Sequence, residues 1–83
     1  MTARIVLYTR AGCHLCDTAR EALSRVASAT GVTWTEVDIA GDPSLTAEYG
    51  DLIPVITLDG RQHGYWRVEE ARLIRDVLAG SSG

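Results

Sequence analysis

The strongest constraint on the fold is an apolar run that stops just before a pair of cysteines. Residues 4–8, RIVLY, are rich in β-forming side chains and almost continuously apolar, which predicts a central strand covered on both faces. Ala11-Gly12 breaks the run, and from His14 to Ser28 apolar residues recur at spacings of three and four. The pattern predicts a strand followed by an amphipathic helix, with Cys13 and Cys16 at the junction.

The two cysteines form the motif Cys-His-Leu-Cys, with two residues between them. At the start of a helix, Cys13 meets unpaired backbone N–H groups and the positive end of the helix dipole, which stabilise a thiolate. Cys16 lies on the same helix face one turn later, close enough to form a disulfide with Cys13. In a chain without secretory features, this arrangement predicts a redox-active dithiol, with Cys13 as the nucleophile and Cys16 as the resolving thiol.

The next two elements follow from periodicity and capping residues. Gly31 ends the first helix, and residues 32–39 then alternate apolar and polar side chains, which predicts a second strand. A strand, helix, strand unit of this length favours a parallel pair with a right-handed crossover. Asp42 and Pro43 form a typical helix start, and Gly50 is a suitable stop, so a short second helix is expected between them.

A hairpin and a third helix complete the chain. Residues 53–58 and 61–66 flank Asp59-Gly60, a pair typical of a tight turn between antiparallel strands. Glu69 and Glu70 are well placed near the positive end of a last helix. The apolar positions of that helix are Val68, Ala71, Ile74, Val77 and Leu78. The predicted order is β-α-β-α-β-β-α.

Composition bounds the possible roles. The chain has 83 residues, enough for one small domain, which we assign to 1–79, with a tail at 80–83 that is flexible by composition. Its net charge is −3 and its basic residues are scattered arginines, so no nucleic-acid partner is expected. No stretch has transmembrane length and no signal peptide is recognised, which predicts a cytoplasmic protein without a membrane partner, acting as a monomer.

Three local motifs and the order of elements resemble the thioredoxin superfamily, and its small glutaredoxin-like proteins in particular. The motifs are Tyr8-Thr9 before the cysteines, the cysteine pair at the helix start, and Ile53-Pro54-Val55 opening the third strand. The resemblance covers residues 3 to 79. It implies an α/β, thioredoxin-like fold, with a four-stranded mixed sheet and helices on both faces. It also implies a cis peptide bond before Pro54 and a thiol–disulfide oxidoreductase activity.

The resemblance further implies a substrate-binding surface beside the sulfurs. Pro54 and the backbone of Ile53 would hold an extended segment of the substrate, and Tyr8 would belong to the same surface. His14, between the cysteines, would stabilise the nucleophilic thiolate, with a solvated surface residue as the alternative. Arg10 would add positive potential near the site, or would simply be solvated.

The identity of the reductant stays open. Glutathione-binding glutaredoxins usually carry a Gly-Gly pair followed by Asp near the start of the last helix. Here the segment is 64–70, GYWRVEE, with one glycine and with Glu69 or Glu70 in place of the Asp. The expected partners are therefore a disulfide-containing protein or a small-molecule thiol substrate, with glutathione, another low-molecular-weight thiol or a thioredoxin reductase as the reductant.

The alternatives for Cys13 and Cys16 are a pair of metal ligands or a buried pair of small apolar residues, and the alternative for the protein is a non-catalytic role. Structural zinc usually takes four protein ligands, and only His14 and His63, far apart in sequence, could complete the set with the cysteines. A [2Fe–2S] cluster bridged between two copies is recorded among glutaredoxins, but one dithiol cannot supply four thiolates. We therefore expect no cofactor and no metal. The alternative function is a non-catalytic module that binds an iron–sulfur cluster, a metal or a protein partner. His63 is expected to be exposed on the hairpin, and Trp34 and Trp66 are expected to pack.

Overall fold

The computed structural model describes residues 4–80, and its elements confirm the predicted order β-α-β-α-β-β-α. The strands are β1 (Ile5–Thr9), β2 (Trp34–Asp38), β3 (Val55–Leu58) and β4 (Arg61–Tyr65). The helices are α1 (His14–Thr30), α2 (Pro43–Tyr49) and α3 (Glu70–Leu78), with a short 3-10 turn at Ile39–Gly41. None of the helices between residues 4 and 80 is long and apolar enough to cross a membrane. Most of the predicted tail, 81–83, lies outside the described residues.

The four strands form one mixed sheet in the order β2-β1-β3-β4. β1 pairs in parallel with β2, as predicted, and antiparallel with β3. β3 and β4 form the predicted antiparallel hairpin, whose turn residues Asp59 and Gly60 both have positive φ angles, of 53° and 86°. A turn of this kind matches the twist of the strands that it joins. β1 is an interior strand, which explains its nearly continuous apolar sequence.

The main hydrophobic core lies between one face of the sheet and the helices α1 and α3. Side chains alternate between the two faces of a strand, so Ile5 and Leu7 lie on the same face. Their cross-strand partners on β3, Leu58 and Ile56, lie on that face as well. All four are buried. The two helices complete this core with Ala19, Leu23, Val26, Leu73 and Val77.

The predicted core face of α3 is partly wrong. Leu73, which the prediction left out, is fully buried at 0% exposure, and Val77 is buried one turn later. Leu78, which the prediction included, is 67% exposed, and Ala71 is exposed as well. Residues 73 and 77, one turn apart, form the row of α3 that packs into the main core.

The second strand is shorter than the predicted 32–39, because the chain turns away from the sheet at its end. The Asp38 carboxylate accepts a hydrogen bond from the backbone N–H two residues later, at 2.8 Å, and this closes a 3-10 turn that begins at Ile39. Asp42 then caps α2 as predicted, since its carboxylate accepts a hydrogen bond from the Leu45 N–H at 3.1 Å.

The other face of the sheet is covered by α2. Tyr8, next to Leu7 on β1, points to this side, and its ring packs on Tyr49 of α2 with 4.8 Å between the ring centroids. A second, smaller hydrophobic cluster forms here, which we call the dithiol cluster. Its members are the buried residues Cys16, Ile39 and Ile53, with Tyr8, Cys13, Leu45 and Tyr49 packed against them. Helices on both faces of a mixed four-stranded sheet were predicted and are confirmed.

Candidate active site

Cys13 stands at the N-cap of α1, where its extended backbone, with φ −92° and ψ 111°, joins the preceding loop to the helix. Gly12 precedes it with a φ of +81°, a left-handed conformation that glycine adopts at little cost. The Cys13 side chain makes no capping hydrogen bond, and its carbonyl accepts one from the Cys16 N–H at 3.2 Å. Cys13 therefore lies at the N-terminal, positive end of the α1 dipole.

Cys16 lies one turn further along α1 and is buried, with 1% of its surface exposed. Both cysteines are free thiols. Burial, followed by a hydrogen bond with the Cys13 thiol, raises the pKa of Cys16 to about 11. A backbone hydrogen bond with Arg10 and the charge of Arg20 act in the opposite direction. The pair is therefore asymmetric, with a partly exposed thiol at the helix start and a buried, protonated thiol behind it.

Cys13 is expected to react with an alkylating reagent well before Cys16. The Cys13 thiol is partly exposed, whereas the Cys16 thiol is buried and its pKa is raised, so little of it is thiolate near neutral pH. Brief alkylation followed by peptide mass spectrometry measures the order of reaction. Protein in denaturant is the control, because both cysteines should then react alike. Earlier labelling of Cys16 would reverse the assigned roles.

The segment before β3 forms a second side of the site. The peptide bond between Ile53 and Pro54 is cis, as the resemblance implied. Ile53 is buried and packs with Cys16 in the dithiol cluster, and Pro54 is also buried. The Pro54 carbonyl accepts a hydrogen bond from the Trp66 N–H at 2.7 Å, which ties this segment to the end of β4. Ile53 of this predicted substrate-binding pair therefore lies in the dithiol cluster, and Pro54 follows it in the chain.

Tyr8 and Tyr49 form an aromatic wall of the same cluster. The Tyr8 ring, which was predicted to contact substrate, is half-buried and packs one side on Tyr49. Burial, then the nearby charge of Glu48, and then Tyr8 raise the pKa of Tyr49. Tyr49 was not predicted to belong to the site. The only local feature that could have indicated Tyr49 is its aromatic ring at the end of the short helix α2.

A cavity of about 280 Å³ lies beside Cys13. Arg10 and His14, both predicted to favour the thiolate, are exposed and line this cavity. The other charged residues of the lining are Asp17, Arg20, Glu36 and Asp38. The predicted substrate-binding residues thus fall into two groups, one at this polar cavity and one in the dithiol cluster.

Arg20 links α1 to β2 at the edge of this cavity. Its guanidinium donates two hydrogen bonds to Glu36, from Nε at 2.8 Å and from Nη2 at 2.7 Å, and donates a third to Asp17. The Thr9 hydroxyl donates to the same Glu36 carboxylate at 3.3 Å. Arg20 holds the pKa of Glu36 below its usual range. These four residues, which we call the Arg20 cluster, were not predicted, because their contacts depend on the register that sets Glu36 beside Leu7.

Two expectations about β4 and the residue after it are wrong. His63 was expected to be exposed, but its side chain is only 7% exposed and its Nε2 lies 2.8 Å from Asp76 Oδ2 of α3. Trp66 was expected to pack, but it is 54% exposed, with a left-handed backbone and its ring edge-on to Tyr65. The reasons are tertiary: α3 supplies a carboxylate for His63, and the hydrogen bond to Pro54 fixes the backbone of Trp66 in a turn.

The start of α3 differs from the glutathione-binding pattern in a further way. Glu70 accepts two hydrogen bonds from Arg25 of α1, at 2.9 and 2.8 Å. Glu69 is the N-cap of α3 and borders a separate cavity of about 480 Å³ with Gly64 and Tyr65. Glu69 itself lies 3.9 Å from the Nε of Arg67, so both acidic residues at the position of the expected Asp have an arginine partner.

No metal site is formed within the described part of the chain. Among residues 4–80, no group of three or more His, Cys, Asp or Glu side chains is arranged to hold a metal ion. His14 lies at the cavity beside Cys13, whereas His63 is hydrogen-bonded to Asp76 of α3.

A mixed four-stranded sheet with helices on both faces, and with the first helix beginning at a Cys-x-x-Cys motif, defines a thioredoxin-fold protein of the glutaredoxin-like kind. The chain belongs to the glutaredoxin-like domain family (DUF836), which it matches over residues 4–78.

Two similar proteins support this placement, and a third shares the fold. An uncharacterised protein of Mycobacterium tuberculosis is 40% identical in an alignment 85 positions long, which covers 96% of this chain and 88% of that protein. The X-ray structure of a structural-genomics target from X. campestris is 34% identical, with a TM-score of 0.73, and the match covers 90% of this chain and 96% of that one. Thioredoxin from Trypanosoma brucei brucei shares the fold at 16% identity, with a TM-score of 0.61, covering 99% of this chain and 77% of that one.

Proposed function

We propose that this protein is a thiol–disulfide oxidoreductase that reduces or exchanges disulfides of proteins or small molecules. The observation that carries the proposal is the asymmetry of the dithiol. Cys13 is partly exposed at a helix N-terminus, and its thiol is hydrogen-bonded to the buried Cys16, whose pKa is raised. One thiol is thereby suited to attack from solvent, and the other is kept in reserve as a protonated group until a mixed disulfide forms.

The reaction has two exchange steps. The Cys13 thiolate attacks one sulfur of a substrate disulfide, forms a mixed disulfide and releases the first substrate thiolate, which takes a proton from water. Cys16 then gives its proton to water, and its thiolate attacks the Cys13 sulfur. This breaks the mixed disulfide, releases the second substrate thiolate and forms the Cys13–Cys16 disulfide. The substrate gains two electrons, and a thiol or dithiol reductant restores the enzyme by the reverse exchange.

The surroundings of Cys13 support roles for the other predicted residues. Ile53 packs against the dithiol, and we propose that it and Pro54, the next residue in the chain, face the substrate chain, with Tyr8 as the adjoining apolar surface. Arg10 and His14 line the polar cavity and would favour the anionic form of Cys13. We place the activity in the cytoplasm, where low-molecular-weight thiols and thioredoxin reductase are available as reductants.

A coupled assay tests the proposal. The oxidised protein is supplied with NADPH and either glutathione plus glutathione reductase or a thioredoxin reductase, with a protein disulfide and a small-molecule disulfide as substrates. We expect disulfide-dependent consumption of NADPH with at least one reducing system, and its loss in Cys13→Ser. The proposal would be contradicted if neither reducing system reduced the oxidised protein and dithiothreitol also failed to reduce it.

The non-catalytic alternative predicts a different result. A protein that only binds an iron–sulfur cluster should be coloured when freshly purified, and should contain iron and acid-labile sulfide. Because the described residues form no metal-binding group of three or more ligands, a cluster would need thiolates from a second copy or from a small thiol. Colourless protein that reduces disulfides would support the oxidoreductase.

A further inference from the structure

The Arg20 cluster lies next to the dithiol and has no part in the steps described so far. Arg20 follows Cys16 by four residues on α1, so the two side chains lie on the same face of the helix. The guanidinium is fixed on both sides, by the two hydrogen bonds to Glu36 of β2 and by the bond to Asp17. It also borders the cavity that Cys13 lines. A permanent cation is thereby held one turn from the buried thiol.

The other charged or ionisable groups beside Cys16 are less suited to balance a negative charge on its sulfur. His14 lies between the cysteines, but its exposed side chain lines the cavity beside Cys13. Tyr8 and Tyr49 approach from β1 and α2 through their rings, and Cys13 itself is consumed in the mixed disulfide. Asp17 is negatively charged and therefore opposes a thiolate. Arg10 contacts Cys16 through its backbone, and its side chain is exposed.

We propose that Arg20 is a positioning residue for the resolving step, and that it acts by stabilising the Cys16 thiolate as it attacks the mixed disulfide. The inference rests on the proposed oxidoreductase function. When the proton of Cys16 passes to water, negative charge develops on a sulfur from which solvent is almost excluded. The positive charge of Arg20 compensates that negative charge, and it acts to lower the pKa of Cys16, as a nearby cation should.

Glu36 of the cluster gives the proposal a second test, in which the pKa of Cys16 should shift in the opposite direction. Glu36 fixes the guanidinium in place, but its own negative charge opposes a thiolate at Cys16. Removing the charge of Glu36 should therefore lower the pKa of Cys16, whereas removing the charge of Arg20 should raise it. A purely structural role of the ion pair predicts no such difference in sign.

The experiment measures the pKa of Cys16 from the ultraviolet absorbance of its thiolate, in full-length protein that carries Cys13→Ser. Arg20→Gln should raise this pKa by about half a unit or more, Arg20→Lys should restore most of the difference, and Glu36→Gln should lower the pKa. Arg25→Gln is the matched control. Arg25 lies on the same helix and makes an equivalent two-bond contact, with Glu70, but away from the cysteines.

The resolving rate gives the functional readout in protein that retains both cysteines. A preformed mixed disulfide on Cys13 should resolve at least threefold more slowly in Arg20→Gln than in the unchanged protein. The pH at which the resolving rate rises should also be higher in Arg20→Gln than in the unchanged protein or in Arg25→Gln. Equal Cys16 pKa values in Arg20→Gln and Arg25→Gln would overturn the proposal, and so would the same direction of shift in Arg20→Gln and Glu36→Gln. Because the pKa measurement needs no turnover, its outcome is independent of whether the oxidoreductase assay succeeds.

Discussion

A Cys16→Ser variant is expected to accumulate as a stable mixed disulfide through Cys13 when it is mixed with a disulfide substrate. The variant keeps the partly exposed thiol at the start of α1 but lacks the thiol that would displace the substrate. Serine has nearly the same size as cysteine, so the dithiol cluster should stay packed. Non-reducing electrophoresis and intact-mass spectrometry measure the adduct, which should account for most of the protein.

The reciprocal variant is the matched control. Cys13→Ser should form little adduct, because the remaining cysteine is 1% exposed and its burial raises its pKa. Addition of dithiothreitol should release the substrate from the Cys16→Ser adduct and return free protein. Equal trapping by both variants would mean that the two thiols do not have distinct roles.

The largest effect on stability is expected for Leu73→Ala, which should lower the free energy of unfolding by about 2–5 kcal/mol. Leu73 is fully buried where α3 packs on α1 and the sheet, so truncation removes apolar contacts and leaves a cavity. In a domain of 83 residues a loss of this size is a large part of the total stability. Urea unfolding followed by circular dichroism measures the change.

Leu78→Ala is the control for this prediction, since the same truncation at the end of the same helix removes a side chain that is 67% exposed. Its effect should stay within about 0.5 kcal/mol. Similar losses in the two variants would show that the helix faces are assigned wrongly.

The order of elements could be predicted because each has a strong local signal. The apolar run of β1, the Asp42-Pro43 helix start and the Asp59-Gly60 turn depend on backbone preferences that operate over a few residues. Cys13 could be placed at the start of α1 for the same reason, because the break at Gly12 lies next to it.

The remaining features depend on contacts between distant parts of the chain. His63 is buried because α3 brings Asp76 to it, and Glu36 meets Arg20 because β2 pairs in one particular register with β1. Neither residue has a local pattern that distinguishes it from a solvated one. The core face of α3 was misassigned because apolar residues occur on more than one side of that helix, so periodicity alone did not decide between Leu73 and Leu78.

Because the two hydrophobic clusters are separate, we expect the smaller one to open locally without the larger one. Cys16 belongs to the smaller one, which is completed by short elements, the 3-10 turn and α2, that lie between β2 and β3. The larger core joins α1, α3 and the central strands through other residues. Local opening of the short elements would therefore expose Cys16 at a lower free energy than global unfolding requires. We expect Cys16 to become accessible in this way while the larger core stays packed.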